Sequence, residues 1–322
     1  MASSDDSRSL ASGASAAEAA LRQTALVVAE GERGVLSVRG PDRVAWLNGV
    51  VTCDAAAVTP DQAQFGLLLS KQGKIQTDFA LLLDGDRFLL AVAPGTAELA
   101  REELDRMLVM EEVELTDVSA ELSVLALHGP RADALARDAA SRFGGAAASL
   151  DRTGLGGAVL LVPERVAGDV AAGLEAAGAR LAQAEDWPRV RVPHGVAMFG
   201  ADYGQSDNPH EAALDRRAIA WNKGCYLGQE AVFMQDARGK VKRRLVVLRV
   251  EGPATPPTGA AIERPDGGRA GEVTSSTDGA RPGEHYALGK VLAPDYEPGT
   301  NLVVAGSPAR VLGPAFAAAR PP

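Results

Sequence analysis

The amino-acid sequence predicts an α+β protein in which two related α+β units precede a small C-terminal β-barrel. The first observation is that "LSVRGPDRVAWLNGVV" and "LALHGPRADALARDAA" share one layout, a strand, a Gly-Pro pair and an amphipathic helix. This match leaves an internal duplication and a chance likeness both open. The second observation is that short apolar runs follow Arg244, separated at close spacing by Pro, Gly and Asp. Such spacing is typical of a small all-β unit.

The first segment, residues 1–22, is predicted to be a disordered tail because it is rich in Ser and Ala. A short helix near Ala16–Arg22 is the alternative. The segment lacks the apolar core of a secretory signal, and its acidic residues disfavour a mitochondrial transit peptide. We therefore expect a cytoplasmic protein of bacterial type, with the mitochondrial matrix as the less favoured alternative.

Residues 23–244 are predicted to form the α+β region, with two subdomains. "ALVVAEGERGVLSVRG" indicates two short strands around a glycine turn, and "FGLLLSKQGKIQTDFALLLDGDRFLLAVA" indicates three strands joined by two turns. A helix is expected over residues 95–110. Residues 245–316 are assigned to the barrel.

The composition excludes several classes of function. The net charge of −9 argues against broad nucleic-acid binding, which needs a basic surface. Two cysteines form no disulfide framework and do not supply the four thiolates of a typical iron–sulfur cluster. The four histidines lack zinc-ligand spacing, so no stably bound metal is expected. No apolar run approaches the ~20 residues that span a bilayer, so no membrane partner is expected.

Cys225 has unusual neighbours in "WNKGCYLGQEAVFMQDARGKVKRR". A lone cysteine is most often a buried small hydrophobe. Here Lys223 precedes it and a helix is expected to open at Gly228, and both features favour a thiolate. A reactive, partly exposed thiol is therefore the second interpretation, although no histidine is near in sequence to act as its base.

Two carboxylates are candidate site residues. Asp78 lies at the start of the apolar strand "FALLL", where an acid needs a partner or a function. Its alternative is a turn or edge residue that faces water. Glu211 lies in "DNPHEAALDRR", where a helix start capped by Asp207 or Asn208 would explain it fully.

The basic run Arg238–Arg244 contrasts with an acidic chain. Such a run is most often a solvated face. The alternative is a local anion site for a phosphate, a carboxylate tail or RNA.

The segment "KGCYLGQE" resembles the K-G-C-Y-x-G-Q-E signature of the YgfZ-type family of folate-binding proteins, which are related to the glycine-cleavage T-protein, an aminomethyltransferase. "GPDRVAWLNGVVTCD", "GKIQTDFALLL" and "RVPHGVAMFGADYGQSDNPHEAAL" are similar to further segments of that family, and "GEVTSS" and "ALGKV" to the T-protein barrel. The resemblance runs from about Thr24 to Leu312. It implies a T-protein-like ring of three units.

The resemblance also implies site residues. Glu211 corresponds to the acid that hydrogen-bonds the pterin of tetrahydrofolate, and Arg238 or Lys240 to the basic residue facing the folate tail. The essential acid pair of the transferases is here Thr77-Asp78, so one acid is missing and a catalytic role for Asp78 is in doubt. Cys225 is the functional thiol of a signature that T-proteins lack. The remaining signature residues are Lys223, Gly224, Tyr226, Gly228, Gln229 and Glu230.

The sequence therefore predicts a protein that binds tetrahydrofolate or a one-carbon derivative and supports assembly or repair of iron–sulfur enzymes. Its partners would be folate and iron–sulfur proteins or their assembly factors, with a link to tRNA modification. The chain is then not a conventional enzyme. The alternative is a folate-dependent aminomethyl or one-carbon transferase. A third hypothesis, docking of RNA or protein on Arg238–Arg244, is the least favoured.

Overall fold

The structure, a computed structural model, describes residues 16–239 and 241–317. Its α-helices are α1 (residues 16–23), α2 (Arg43–Val50), α3 (Ala97–Asp105), α4 (Ala132–Phe143), α5 (Ala167–Ala176), α6 (Asp186–Arg191) and α7 (Gln229–Arg238). Its strands are β1 (Leu26–Ala29), β2 (Gly34–Arg39), β3 (Gln64–Leu69), β4 (Ile75–Asp84), β5 (Arg87–Val92), β6 (Glu114–Asp117), β7 (Leu122–His128), β8 (Ala146–Ser149), β9 (Gly157–Pro163), β10 (Arg180–Leu181), β11 (Arg243–Glu251), β12 (Ala261–Glu263), β13 (Arg269–Asp278), β14 (Glu284–Leu292), β15 (Asn301–Val304) and β16 (Ser307–Pro314).

The strands form two five-stranded sheets and one closed barrel. The sheet orders are β10-β1-β7-β9-β8 and β3-β4-β5-β2-β6, and the barrel order is β11-β14-β13-β12-β15-β16. Closure of the barrel removes the free strand edges that would otherwise pair with other chains. The α+β class and the C-terminal barrel predicted from the sequence are both confirmed.

The contacts divide the chain into two compact units. Among the described residues, the first comprises 16–43, 57–64 and 80–190, and the second comprises 44–56, 65–79, 191–239 and 241–317. The first unit has an aliphatic core in which α4 and α5 cover β1, β7 and β9. The second contains the barrel, whose interior is filled by alternate apolar residues of its strands. This division places residues 44–56 and 65–79 with the C-terminal half of the chain, so it does not follow the order of the sequence. The domain boundaries at 22/23 and 244/245 therefore remain predictions.

The repeated Gly-Pro layout has a structural cause in both places. Gly40 follows β2 with φ at 107°, and Gly129 follows β7 with φ at 126°. A Cβ at Gly40 would lie 2.0 Å from the Glu112 carbonyl oxygen, and one at Gly129 would lie 2.7 Å from that of Leu21. Both positions therefore require glycine for backbone conformation and for space. The strand–glycine–helix layout is present twice, as the sequence predicts.

Two local expectations differ from the structure. Residues 16–23 are helical, with Ala17 and Leu21 fully buried, so this part of the predicted tail is folded, as its alternative has it; residues 1–15 lie outside the described residues. The two short strands expected around a glycine turn are present as β1 and β2, of which β1 pairs with β7 and β10 whereas β2 pairs with β5 and β6. The helix expected over 95–110 ends at Asp105, and Val109 and Met110 are exposed beyond it.

Candidate functional site

Cys225 is exposed, whereas Cys53 is buried. The interpretation of Cys225 as a buried small hydrophobe is therefore wrong. The thiol precedes α7, the helix that the sequence predicts after Gly228. Burial raises the pKa of the Cys53 thiol to about 12, so that thiol stays protonated at neutral pH. Of the two cysteines, Cys225 is the one that a solute or a partner protein can reach.

Gly228 fixes the start of α7. It is the N-cap residue, with φ at 80°. A Cβ at this position would lie 2.5 Å from the Ser70 carbonyl oxygen and 3.2 Å from the Leu69 Cβ. The helix start therefore packs directly on the turn between β3 and β4. Gly73, in the β3–β4 turn, lies against α7 from the other side of this contact. A Cβ on Gly73 would lie 2.8 Å from the Ala231 Cβ, so the close approach requires glycine here too.

Lys223 is held by backbone carbonyl groups. Its ammonium group donates to the carbonyl oxygens of Asn48 at 3.0 Å, Val51 at 2.5 Å and Cys53 at 2.6 Å. Burial lowers the pKa of Lys223, because it disfavours the charged form. The expectation that this cation activates Cys225 is not supported, since its described hydrogen bonds all go to the last turn of α2 and the segment that follows it. Its role in the signature is to anchor the loop that carries the thiol.

The rest of the signature divides into packed and exposed positions. Tyr226 is 5% exposed, and burial raises its pKa to about 12. Its backbone N–H donates to the Gln229 Oε1 at 3.3 Å, which ties the loop to the first turn of α7. Glu230 is exposed in that first turn, where a carboxylate complements the helix dipole. Gly224 is exposed, and a Cβ there would meet no atom within 4 Å.

Asp78 is buried, with 1% of its surface exposed, and the Tyr203 hydroxyl donates to its Oδ2 at 2.5 Å. The alternative of a water-facing turn residue is therefore wrong. The neighbouring Thr77 is also buried, and its hydroxyl donates to the Asp78 backbone carbonyl at 3.0 Å. Sequence reasoning missed Tyr203. The sequence signal for Tyr203 was indirect. A buried carboxylate needs a hydrogen-bond donor, but no local pattern identifies a donor 125 positions away.

Glu211 caps a turn. Its Oε2 accepts from the Asn208 N–H at 3.2 Å, and its own N–H donates to the Asn208 Oδ1 at 2.9 Å. This reciprocal pair is a capping box, but residues 209–213 form turns and no helix follows. Lys74 lies 3.8 Å from Oε2 and Arg243 lies 3.6 Å from Oε1. The carboxylate thus lies between two cations, with acceptor capacity left on Oε1.

Two arginines of the basic run are neutralised by carboxylates within the same unit. Arg243 donates to Asp207 at 2.9 Å, and Arg244 donates to Asp215 at 2.8 Å. Both aspartates are buried, and Asp207 also accepts from Lys290 at 2.7 Å. Arg238, at the end of α7, is exposed, as is Lys242. Lys240 lies outside the described residues.

The donor and acceptor chemistry around Glu211 fits tetrahydrofolate. A pterin edge presents N–H donors, which the remaining acceptor capacity of Glu211 would match. Lys74 is 41% exposed on its side chain beside this carboxylate, so a cation is available to an anionic group. Sequence reasoning missed Lys74. This residue lies in the segment "GKIQTDFALLL", but no local pattern indicates that it contacts Glu211.

The chain is similar to known proteins in sequence and in fold. Residues 5–150 match the family model described as the GCVT N-terminal domain. The aminomethyltransferase of Herpetosiphon aurantiacus is 27% identical over 83% of this chain and 78% of its own length. The tRNA-modifying protein YgfZ of Colwellia psychrerythraea is 28% identical over 67% of this chain and 69% of its own length. These similarities support a relationship to the GcvT-like superfamily.

One solved structure shows the fold. The glycine cleavage system aminomethyltransferase T from Bartonella henselae superposes with a TM-score of 0.80 and 23% identity, over 95% of this chain and 90% of that chain. The T-protein-like fold class predicted from the sequence is confirmed. Within residues 16–239 and 241–317, no helix combines the length and apolarity needed to cross a membrane, and no group of three or more potential ligand side chains is placed to hold a metal ion.

Proposed function

We propose that the protein binds tetrahydrofolate, or a one-carbon derivative of it, and supports the assembly or repair of iron–sulfur enzymes through Cys225. The observation that carries this proposal is the exposed thiol on a loop that the rest of its signature immobilises. Lys223 anchors the loop on one side, and Gly228 fixes the helix that follows. A thiol presented in this way is suited to contact with another molecule rather than to packing.

The folate part of the proposal rests on Glu211. Its carboxylate is 13% exposed and keeps acceptor capacity for the pterin, while the exposed Arg238 would supply positive charge for the glutamate tail. Bound tetrahydrofolate would supply a carrier for a one-carbon unit. The relatives named aminomethyltransferase and tRNA-modifying protein YgfZ match the two groups that the sequence resembles, and this likeness supports the folate part of the proposal.

The second candidate is an aminomethyltransferase, which the names of several relatives favour. Two observations count against it. Of the acid pair that the resemblance implies for the transferases, only Asp78 is present in this chain. Its carboxylate is buried and accepts a hydrogen bond from the Tyr203 hydroxyl. The signature cysteine is in addition exposed. Turnover in a glycine-cleavage assay with the lipoyl carrier protein would favour the transferase.

The experiment that tests the proposal is complementation. A strain lacking the protein is supplied with the wild type, Cys225→Ala or Cys53→Ala, and iron–sulfur enzyme activities are measured in extracts. We expect Cys225→Ala to abolish the support while its thermal unfolding stays close to that of the wild type, because the side chain is exposed. Cys53→Ala, the control in the core, should lose some stability and keep the function. Full support by Cys225→Ala would contradict the proposal.

A further inference from the structure

The helix α7, which follows the Cys225 loop, exposes two adjacent large apolar side chains. Phe233 is 40% exposed and Met234 is 56% exposed. Among the described residues, these two are the large apolar side chains that are exposed on an α-helix. A surface helix normally turns such side chains toward the core, and apolar side chains exposed side by side are typical of an interaction surface. We propose that this face of α7 is the docking surface for the iron–sulfur protein that Cys225 contacts, an inference that rests on the proposed function.

The exposed face of α7 runs along the whole helix. Its exposed positions recur at spacings of three and four residues, so they share one side of the helix. They are Glu230, Phe233, Met234 and Arg238. Val232, on the opposite side, is buried. The apolar pair therefore lies at the centre of a face that has an acid at one end and a base at the other.

Phe233 is held in place before any partner arrives. Its ring centre lies 5.2 Å from that of Trp221. The Trp221 indole N–H donates to the Asp215 carbonyl oxygen at 2.9 Å, and the Arg216 guanidinium lies 5.7 Å from the centre of the Trp221 ring. A side chain that is already ordered loses less entropy when it is buried against a partner. Aromatic residues, Met and Arg are also the residue types that are enriched at protein interfaces.

The helix also lies close to the thiol. The N–H of Tyr226, the residue after Cys225, donates to the Gln229 Oε1 at 3.3 Å in the first turn of α7. Phe233 follows Gln229 by four residues, which is about 6 Å along the helix axis. A standard protein interface covers about 800 Å² on each partner, a patch roughly 30 Å across. A folded partner that contacts the thiol therefore covers this face of α7 as well.

The charges at the two ends of the face specify the partner's surface. Glu230 lies at the end nearer Cys225, and Arg238 lies in the last turn. The partner would therefore place a cation near Glu230 and an anion near Arg238, around an apolar centre. A second copy of the chain is the alternative occupant, because two antiparallel α7 helices would pair each Glu230 with the Arg238 of the other. That arrangement would leave the two thiols at opposite ends of the helix pair, so it does not bring them together.

The test compares Met234→Lys with Met110→Lys in the strain that lacks the protein. Met110 is 90% exposed in the first unit and is not part of α7, so the control makes the same change at another exposed methionine. We expect Met234→Lys to lower the iron–sulfur enzyme activities roughly tenfold, because docking would bury an unpaired charge. Met110→Lys should keep full support. Both variants should bind tetrahydrofolate as the wild type does and unfold within about 2 °C of it.

The second measurement is photo-cross-linking in cells through a benzophenone-bearing amino acid in place of Met234 or of Met110, with the adducts identified by mass spectrometry. We expect adducts with iron–sulfur proteins from position 234 and not from position 110. Full support by Met234→Lys where Cys225→Ala fails would overturn the docking surface and leave the proposed function standing. Adducts with a second copy of the chain alone would also overturn it. Full support by Cys225→Ala would instead overturn the proposed function itself.

Discussion

Lys223 is the residue that stabilises the loop before α7. Three backbone carbonyl oxygens accept from one ammonium group. We expect Lys223→Ala to lower the free energy of unfolding by about 2–4 kcal/mol, because it leaves these acceptors without their charged donor. Denaturant titration measures the change. Lys242→Ala, which removes an exposed lysine, should stay within about 0.5 kcal/mol of the wild type. Equal effects of the two substitutions would mean that the Lys223 contacts contribute nothing.

Glu30 gives the first unit a pH-dependent stability. Burial opposes its ionisation, but Arg152 at 2.7 Å and Arg33 at 2.8 Å outweigh burial and lower its pKa to about 2. Because the folded pKa lies below the value of 4.5 of an unperturbed Glu, the stabilisation is present above pH 4.5. It is lost as the pH falls towards 2.

Glu30→Gln should therefore destabilise the protein by roughly 3 kcal/mol at pH 7 and by much less near pH 2. Unfolding curves at several pH values measure this difference. The exposed Glu32→Gln is the control and should show no such pH dependence. A penalty for Glu30→Gln that is constant from pH 7 to pH 2 would exclude the ion pairs as its cause.

At the scale of the element, α7 depends on one glycine of the signature and not on the other. Gly228→Ala forces a Cβ into a left-handed backbone and against the Ser70 carbonyl oxygen, so we expect a loss of about 2 kcal/mol or more. Gly224→Ala meets no atom within 4 Å and should change stability by less than about 0.5 kcal/mol. Thermal unfolding of both variants measures the contrast. Equal losses would show that α7 does not pack on the β3–β4 turn as described.

The sequence predicted elements better than it predicted contacts. The helix expected to open at Gly228 is α7, and its start was predictable because the residues that begin a helix are a local property of the sequence. The partners of Lys223, Arg243 and Arg244 lie 29 to 175 positions away, and no local pattern identifies them. The basic run for this reason looked like an anion site, whereas two of its arginines bind buried aspartates.

At the scale of the whole molecule, the fold class followed from the sequence because it depends on the alternation of strands, helices and turns. The barrel was recognisable from short apolar runs broken by Pro and Gly, and its six strands close as expected. The division into units was not predictable. Residues 44–56 and 65–79 join the C-terminal half through long-range packing, which the order of elements does not encode.

The central claim is that Glu211 binds the pterin of tetrahydrofolate. A glutamine at this position keeps the oxygen that accepts from the Asn208 N–H, so the turn should fold while the charge is lost. The same substitution at the exposed Glu230 is the matched control.

The decisive measurement is calorimetric titration of tetrahydrofolate into the wild type, Glu211→Gln and Glu230→Gln. We expect the wild type and Glu230→Gln to bind with equal affinity, and Glu211→Gln to bind more weakly by about 1–3 kcal/mol, the contribution of a hydrogen bond to a charged group. No binding by the wild type, or equal affinity of all three proteins, would contradict the claim and leave Glu211 as a capping residue only.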